Sequence, residues 1–149
     1  MRVFQVEGGW SRENLRISER PEPEPGPGEV RLKMHAAALN YRDLLVPEKG
    51  YGARMKALPL IVLSDGVGTV DRLGPGVTAP AVGTRVCPLM CQSWLAGEPN
   101  DEKLGLTLGS ELDGTMADWM VLPAAGVIPV PDHLSDAEAA ALPTAAITA

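Results

Sequence analysis

Few side chains in this sequence can carry chemistry, and their spacing narrows what that chemistry is. Two cysteines, Cys87 and Cys91, stand with three residues between them in a C-x₃-C arrangement. In a reduced protein they read as core thiols, with a disulfide or redox pair as the alternative. Two histidines, His35 and His133, are far apart; the first alternates outward on a predicted strand and the second sits in a P-D-H-L turn. Neither is assigned a catalytic role. A G-x-G at Gly66 and Gly68 invites a dinucleotide-binding reading. It fails, because the third glycine position holds Asp71 and a Gly74-Pro75-Gly76 turn follows where a helix is required. That leaves Asn40, an amide at the end of an apolar stretch, as the best-placed polar group.

The stretch that must position Asn40 runs from Val30 to Tyr51, VRLKMHAAALNYRDLLVPEKGY. Val30, Leu32, Met34 and Ala36 alternate with Arg31, Lys33 and His35, which predicts a strand with the first set inward. Ala36-Ala37-Ala38-Leu39 is apolar on both faces, as in a strand entering a core. Tyr41 to Val46 predicts one or two helical turns, closed by Pro47 and Gly50. A strand that ends on a polar side chain and hands over to a loop is a common way to build a site. The alternative is that Asn40 only caps the short helix after it.

Composition bounds the rest. The chain has 149 residues, 45% hydrophobic and 21% charged, which suits one globular domain. A formal net charge of −6 and an aromatic content of 4% argue against a nucleic-acid surface and against an anionic membrane. With 16 Gly and 14 Pro, about a fifth of the chain, long helices are excluded and short strands with many turns are favoured. No run approaches the roughly 20 apolar residues of a membrane span, and the N-terminus lacks the core of a signal peptide. A cytoplasmic location is the expectation.

Strands are predicted over Arg2–Val6, over Leu15–Glu19 with Leu15 and Ile17 inward, and over the segment from Gly66 to Leu73. Gly66 and Gly68 are expected to mark closely packed backbone. Further strands are expected from Gly83 through Pro88, from Thr115 to Leu122 and from Val127 to Val130. Pro21 to Glu29 is an extended surface crossing, and Gln92 to Ser110 an excursion loop. Ser135 and Glu138 match a capping box, so a helix begins near Asp136 and is interrupted by Pro143. The uncharged end, Thr144 to Ala149, suggests a chain cut from a longer protein, or an apolar tail folded back on its own barrel.

Four segments then acquire a common meaning: PGPGEVRLKMHAAALNYRDLL, LSDGVGTVDRLGPGV, GTRV and DGTMADWMVLPAAGVIPVPDHLSDAEAAALPTAAITA. In this order and spacing the chain resembles the N-terminal GroES-like catalytic domain of the medium-chain dehydrogenase/reductase superfamily, most closely its zinc-free quinone-oxidoreductase-like branch. The resemblance implies a mainly β fold with short helices, a partly open β-barrel from which the family's Rossmann domain is absent. Residues 1–131 would form the substrate domain and 132–149 the start of a helical connection to the missing domain.

The resemblance also implies the chemistry. Zinc-dependent members hold their metal with a Cys, a His-Glu pair and a second Cys or Asp; the corresponding residues here are Asn40, Ser64-Asp65 and Thr144. Only Asp65 is a good ligand for Zn²⁺, and a structural zinc lobe needs four cysteines, so no metal is expected. What remains is hydride transfer from NADPH or NADH to quinones, enones or related electrophilic carbonyl compounds. Asn40, Tyr51 and Arg42 would then be catalytic. Asn40, Thr144 and Thr148 would contact the cofactor, and Trp94 and Asp65 would line the substrate site. Asp65 is also expected to orient local backbone or Arg42, and Asp43 to be structural. Partners would be a small electrophilic substrate and, for a full-length parent, a second copy in a homodimer. A non-catalytic β-barrel binding module of the same fold is the alternative, and a zinc alcohol dehydrogenase with rearranged ligands a further one.

Overall fold

A computed structural model describes residues 1–148. Eight strands form two sheets, with a few short helices and 3₁₀ turns between them. The smaller sheet has three strands in the order β2-β1-β4: β1 is Arg2–Val6, β2 Leu15–Glu19 and β4 Leu60–Ile61. The larger has five, β7-β3-β5-β6-β8: β3 is Glu29–Ala38, β5 Asp65–Leu73, β6 Arg85–Pro88, β7 Trp119–Pro123 and β8 Val127–Pro129. All paired strands are antiparallel. The two sheets wrap towards each other without closing. The Met116–Asp118 backbone bridges them, through the Phe4 amide to the Met116 carbonyl and the Met34 amide to the Asp118 carbonyl.

The core divides accordingly. One cluster inside the larger sheet holds Val30, Leu32, Val70, Val86, Leu108, Met120 and Leu122. A second, under the smaller sheet, joins Val6, Val46, Leu60, Val62 and Leu63. A third packs Ala139 and Ala140 of α3 (Asp136–Ala140) onto Val67 and Cys87. Each buried Val or Leu removes apolar surface worth about 1.5–3 kcal/mol. The expected capping box starts α3: the Glu138 amide donates to Ser135 Oγ and the Ser135 amide to Glu138 Oε2.

Several expectations need correction. Ile17 is not inward but 77% exposed; it lies on β2, the outer strand of the three-stranded sheet, whereas Leu15 two residues earlier does pack against the second cluster. Arg31, read as outward, is only 5% exposed. Its guanidinium bonds Asp71 and Glu24 and lies 4.8 Å over the Trp119 ring, so the positive charge is neutralised within the fold. The strand expected from Thr115 is regular only from Trp119, and the excursion loop carries a short helix, α2 (Asp101–Leu104), capped by the Asn100 side chain.

The glycines of β5 do mark close packing. A Cβ on Gly68 would sit 2.6 Å from the Lys33 carbonyl oxygen, and one on Gly66 2.9 Å from the Met34 terminal methyl. Side chains there would push β5 off β3. That close pairing carries the site, since Ala38 at the end of β3 lies opposite Asp65 at the start of β5.

Candidate functional site

The corner leading into β5 is held in an unfavourable backbone conformation. Leu63 has φ 71°, a left-handed value that a branched side chain rarely adopts. It is 5% exposed, and its carbonyl accepts the Thr115 amide at 3.1 Å. A side chain on Gly109 or Gly114 would strike the Leu63 backbone, so two distant glycines make room for this corner. The corner delivers Ser64 and Asp65 into the interior, both fully buried.

A buried carboxylate needs donors, and Asp65 has three. Oδ1 accepts from Ser64 Oγ at 3.0 Å and Thr144 Oγ1 at 2.7 Å, and Oδ2 accepts from the Thr144 amide at 2.9 Å. Thr144 lies in a π-helical turn, Leu142–Ala146, that follows α3. Asp65 therefore fastens the C-terminal segment to β5. Of the two roles expected for it, orienting backbone or Arg42, it takes the first, through the Thr144 amide, while Arg42 donates instead to Leu108 and Ser110. Thr148 Oγ1 donates to the Thr144 carbonyl at 2.7 Å and is exposed.

Asn40 follows β3 and is half-buried. It does not cap the next helix with its side chain. The N-cap of α1 (Arg42–Leu45) is Tyr41, and Asp43 instead reaches back, its Oδ2 accepting the Asn40 amide at 2.8 Å. The Asn40 Nδ2 is buried with no partner among the described residues, and Asp43 Oδ1 likewise. Burial pushes the Asp43 carboxyl above its ordinary 3.8, opposed by the Asn40 amide and by Arg42, while the charge of Asp65 pushes the same way as burial.

Arg42 and Tyr51 come together. The guanidinium carbon lies 5.4 Å from the centre of the Tyr51 ring. Arg42 donates to the Leu108 carbonyl at 2.8 Å and to Ser110 Oγ at 3.2 Å. Tyr51 is 40% exposed. Trp94 stays in its own loop, its indole N–H donating to the Gly97 carbonyl at 2.9 Å. Cavities of about 380 Å³ and 590 Å³ lie elsewhere, the first beside His35 and Met116, the second beside Gln92 and Leu122. Neither is lined by Asn40, Arg42, Tyr51, Asp65, Trp94, Thr144 or Thr148. Of these Asp65 is fully buried, Asn40 and Thr144 are half-buried, and Tyr51 and Thr148 are exposed.

Cys87 and Cys91 are both free and buried, as expected of core thiols. Burial, with the nearby Asp65 charge, pushes the Cys87 thiol up to about 11, against the pull of Arg85. Its Sγ donates to the Ala139 carbonyl at 3.3 Å. Ser110 was missed by sequence reasoning; it is 68 residues from Arg42, inside an irregular loop, and no local pattern signals it.

The donor set at the family's metal position can be tested directly. Asn40 and Ser64 offer a neutral amide and a hydroxyl, and the Asp65 oxygens are taken by Ser64 and Thr144. Zn²⁺ binds thiolate, imidazole or free carboxylate in a tetrahedral set. These residues do not fit it.

With this geometry in view, the chain was compared with known proteins. The alcohol dehydrogenase GroES-like domain family matches residues 26–132. A zinc-type alcohol dehydrogenase-like protein of Schizosaccharomyces pombe is 38% identical over 122 residues, 82% of this chain and 35% of that protein. An acryloyl-coenzyme A reductase of Metallosphaera sedula is 32% identical over 149 residues, 96% of this chain and 44% of the relative. The crystal structure of an NAD-dependent alcohol dehydrogenase superposes with a TM-score of 0.83 at 36% identity, covering 96% of this chain and 43% of the other. The chain thus spans less than half the length of each. Among the described residues no helix is long and apolar enough to cross a membrane. The chain belongs to the alcohol dehydrogenase GroES-like domain family, within the medium-chain dehydrogenase/reductase superfamily.

Proposed function

We propose that this domain holds an electrophilic substrate, an enone, quinone or related carbonyl compound, for zinc-independent reduction by a nicotinamide cofactor. The observation that carries this reading is the buried, unpartnered Nδ2 of Asn40 at the position where zinc-dependent members place a thiolate. A buried donor without an acceptor costs about 1–3 kcal/mol. An incoming carbonyl or amide oxygen removes that cost. The similarity to an acryloyl-coenzyme A reductase, whose name denotes a substrate with an activated C=C bond, favours conjugate reduction over simple alcohol oxidation.

A bound NADPH or NADH supplies the hydride. The chain's own residues do the rest. Asn40 donates from Nδ2 to the cofactor amide or the substrate oxygen. Arg42 carries no carboxylate partner among the described residues, being held by a carbonyl and a hydroxyl, so its charge is available to an oxygen gaining electron density. Tyr51 stands against Arg42, and its hydroxyl is the proton donor to the reduced product. Thr144 and Thr148 would contact the nicotinamide. Asp65 acts as a fastener of that segment. Trp94 would reach the substrate from the excursion loop.

Residues 1–131 act in this reading as the substrate domain, and 132–149 as the connection to a nucleotide-binding domain. That domain would cover the site and form the larger part of a cytoplasmic homodimer. The test is NADPH and NADH oxidation by the full-length protein carrying this domain, against a panel of enones and quinones. Asn40→Ala and Tyr51→Phe should each lose rate; wild-type rates from both would end the assignment.

A further inference from the structure

We propose that Ser110 and Glu111 are positioning residues that set the Arg42–Tyr51 pair from the far side of the fold, a role that rests on the reading above. Ser110 is 2% exposed and is the only side chain, among the described residues, to which the Arg42 guanidinium donates. A hydroxyl has one proton and two lone pairs, so what it donates to decides what it can accept from. The Ser110 hydroxyl has two acceptors in reach, Glu111 Oε2 at 2.6 Å and the Thr107 carbonyl at 3.4 Å. The closer, anionic one takes the proton, and the lone pairs are left for Arg42 at 3.2 Å.

Glu111 is itself fixed. Its side chain is 14% exposed, and its Oε1 accepts from Arg54 Nε at 3.0 Å. Arg54 also donates through Nη2 to the Leu104 carbonyl at 2.8 Å. The chain of contacts then returns to its start. The Arg54 amide donates to the Tyr51 carbonyl at 3.4 Å, across the Gly52–Arg54 turn, and the Lys56 amide donates to the Ser110 carbonyl at 2.9 Å. The circuit runs from Tyr51 through Arg42, Ser110, Glu111 and Arg54 back to Tyr51. It ties together two segments more than 50 residues apart, since Arg54 and Glu111 are separated by 57 positions.

The polarity of this circuit depends on the Glu111 charge. A carboxylate only accepts, so Ser110 must donate towards it. A glutamine at the same place can donate to Ser110, turning the hydroxyl proton to the Thr107 carbonyl at 3.4 Å and taking up one of the lone pairs. The shape is nearly unchanged, but the direction of the hydrogen bonds is not. Arg42 would then share the Ser110 oxygen with a second donor and lose the acceptor strength that the Glu111 charge lends it, which loosens the guanidinium beside the Tyr51 ring.

The experiment uses the full-length protein carrying this domain, with NADPH oxidation measured for Ser110→Ala, Glu111→Gln, Arg42→Ala and the double variant Arg42→Ala/Ser110→Ala. Misplacing a reacting group by about 1 Å can cost about a hundredfold; each of Ser110→Ala and Glu111→Gln should lower kcat/KM by about tenfold to a hundredfold on that scale. NADPH affinity should be unchanged. Ser110→Ala should add nothing in the Arg42→Ala background, because a residue that acts through another has no effect once that other is gone. Amide hydrogen exchange should quicken at Arg54 and Lys56 in Glu111→Gln, a readout independent of turnover. Glu111→Gln decides the matter alone if Ser110→Ala does not fold. Wild-type kcat/KM in the folded variants, or fully additive losses in the double variant, would overturn the positioning role. Wild-type turnover by Arg42→Ala would instead remove the underlying reading, and the positioning role with it.

Discussion

Asp65 and Thr144 hold each other through two hydrogen bonds, the amide of Thr144 to Oδ2 and its hydroxyl to Oδ1, across 79 residues of chain. Zinc-dependent members place ligands at both positions. Here the two residues bind one another, and the attachment that a metal could have made between β5 and the C-terminal segment is made by a buried carboxylate.

The first prediction concerns that attachment. Thr144→Val keeps the shape and the amide bond but removes the hydroxyl donor at 2.7 Å. A hydrogen bond to a charged group contributes about 1.5–3 kcal/mol, and its loss leaves a buried oxygen less well paired. Urea unfolding should show a drop of about 2 kcal/mol in stability on this scale. Asp65→Ala should cost more, since it strands the Ser64 hydroxyl and the Thr144 amide together.

A second prediction separates stability from activity at Asn40. Its Nδ2 has no partner among the described residues, so Asn40→Ala deletes no side-chain hydrogen bond from that atom and removes an unpaired buried donor. The variant should be as stable as wild type or more stable, by up to about 1–3 kcal/mol, in urea unfolding. In the full-length protein it should lose between about tenfold and a thousandfold in kcat, the range for removing one preorganised donor. A large loss of stability with unchanged kcat would make Asn40 a structural residue.

The third follows from Asp43. Burial raises its carboxyl above the ordinary 3.8, so between 3.8 and that raised value the folded protein binds a proton that the unfolded chain has released. The Asp43 contribution to stability is therefore full below about 3.8 and is lost as pH rises through the raised value. Asp43→Asn keeps an acceptor for the Asn40 amide and cannot ionise. The stability difference between variant and wild type, measured by urea unfolding across pH, should move in the variant's favour as pH rises through that window and stay level above it.

Gly68 supplies the fourth. A Cβ there would lie 2.6 Å from the Lys33 carbonyl, within the β3–β5 pairing. Gly68→Ala should destabilise the domain by about 1–3 kcal/mol, the usual cost of forcing extra volume into a packed site. Amide exchange should quicken along β3 and β5 before it does in β1 and β2.

What the sequence made legible was what local pattern controls. The alternation in Arg2–Val6 and Leu15–Glu19 marked strands that appear with those bounds, and S-x-x-E at Ser135 marked a capping box that forms. Side-chain direction failed where a distant partner decides it. Arg31 is buried because Asp71, 40 residues on, and the Trp119 ring receive it, and Ile17 is exposed at the outer strand of its sheet although Leu15 beside it packs inward. At the site, the resemblance singled out Asp65 and Thr144, but nothing in either neighbourhood said that they would bond one another rather than leave Asp65 to Arg42. Ser110 could not be found at all, since its meaning lies in a contact with Arg42 across the fold.

The central claim is that this domain supports reduction without a metal. The most direct measurement is the rate of NADPH oxidation with an enone substrate by the full-length protein carrying it, before and after exhaustive treatment with a zinc chelator. An unchanged rate is predicted, with added Zn²⁺ giving no increase. Loss of activity on chelation, restored by stoichiometric Zn²⁺, would contradict the account.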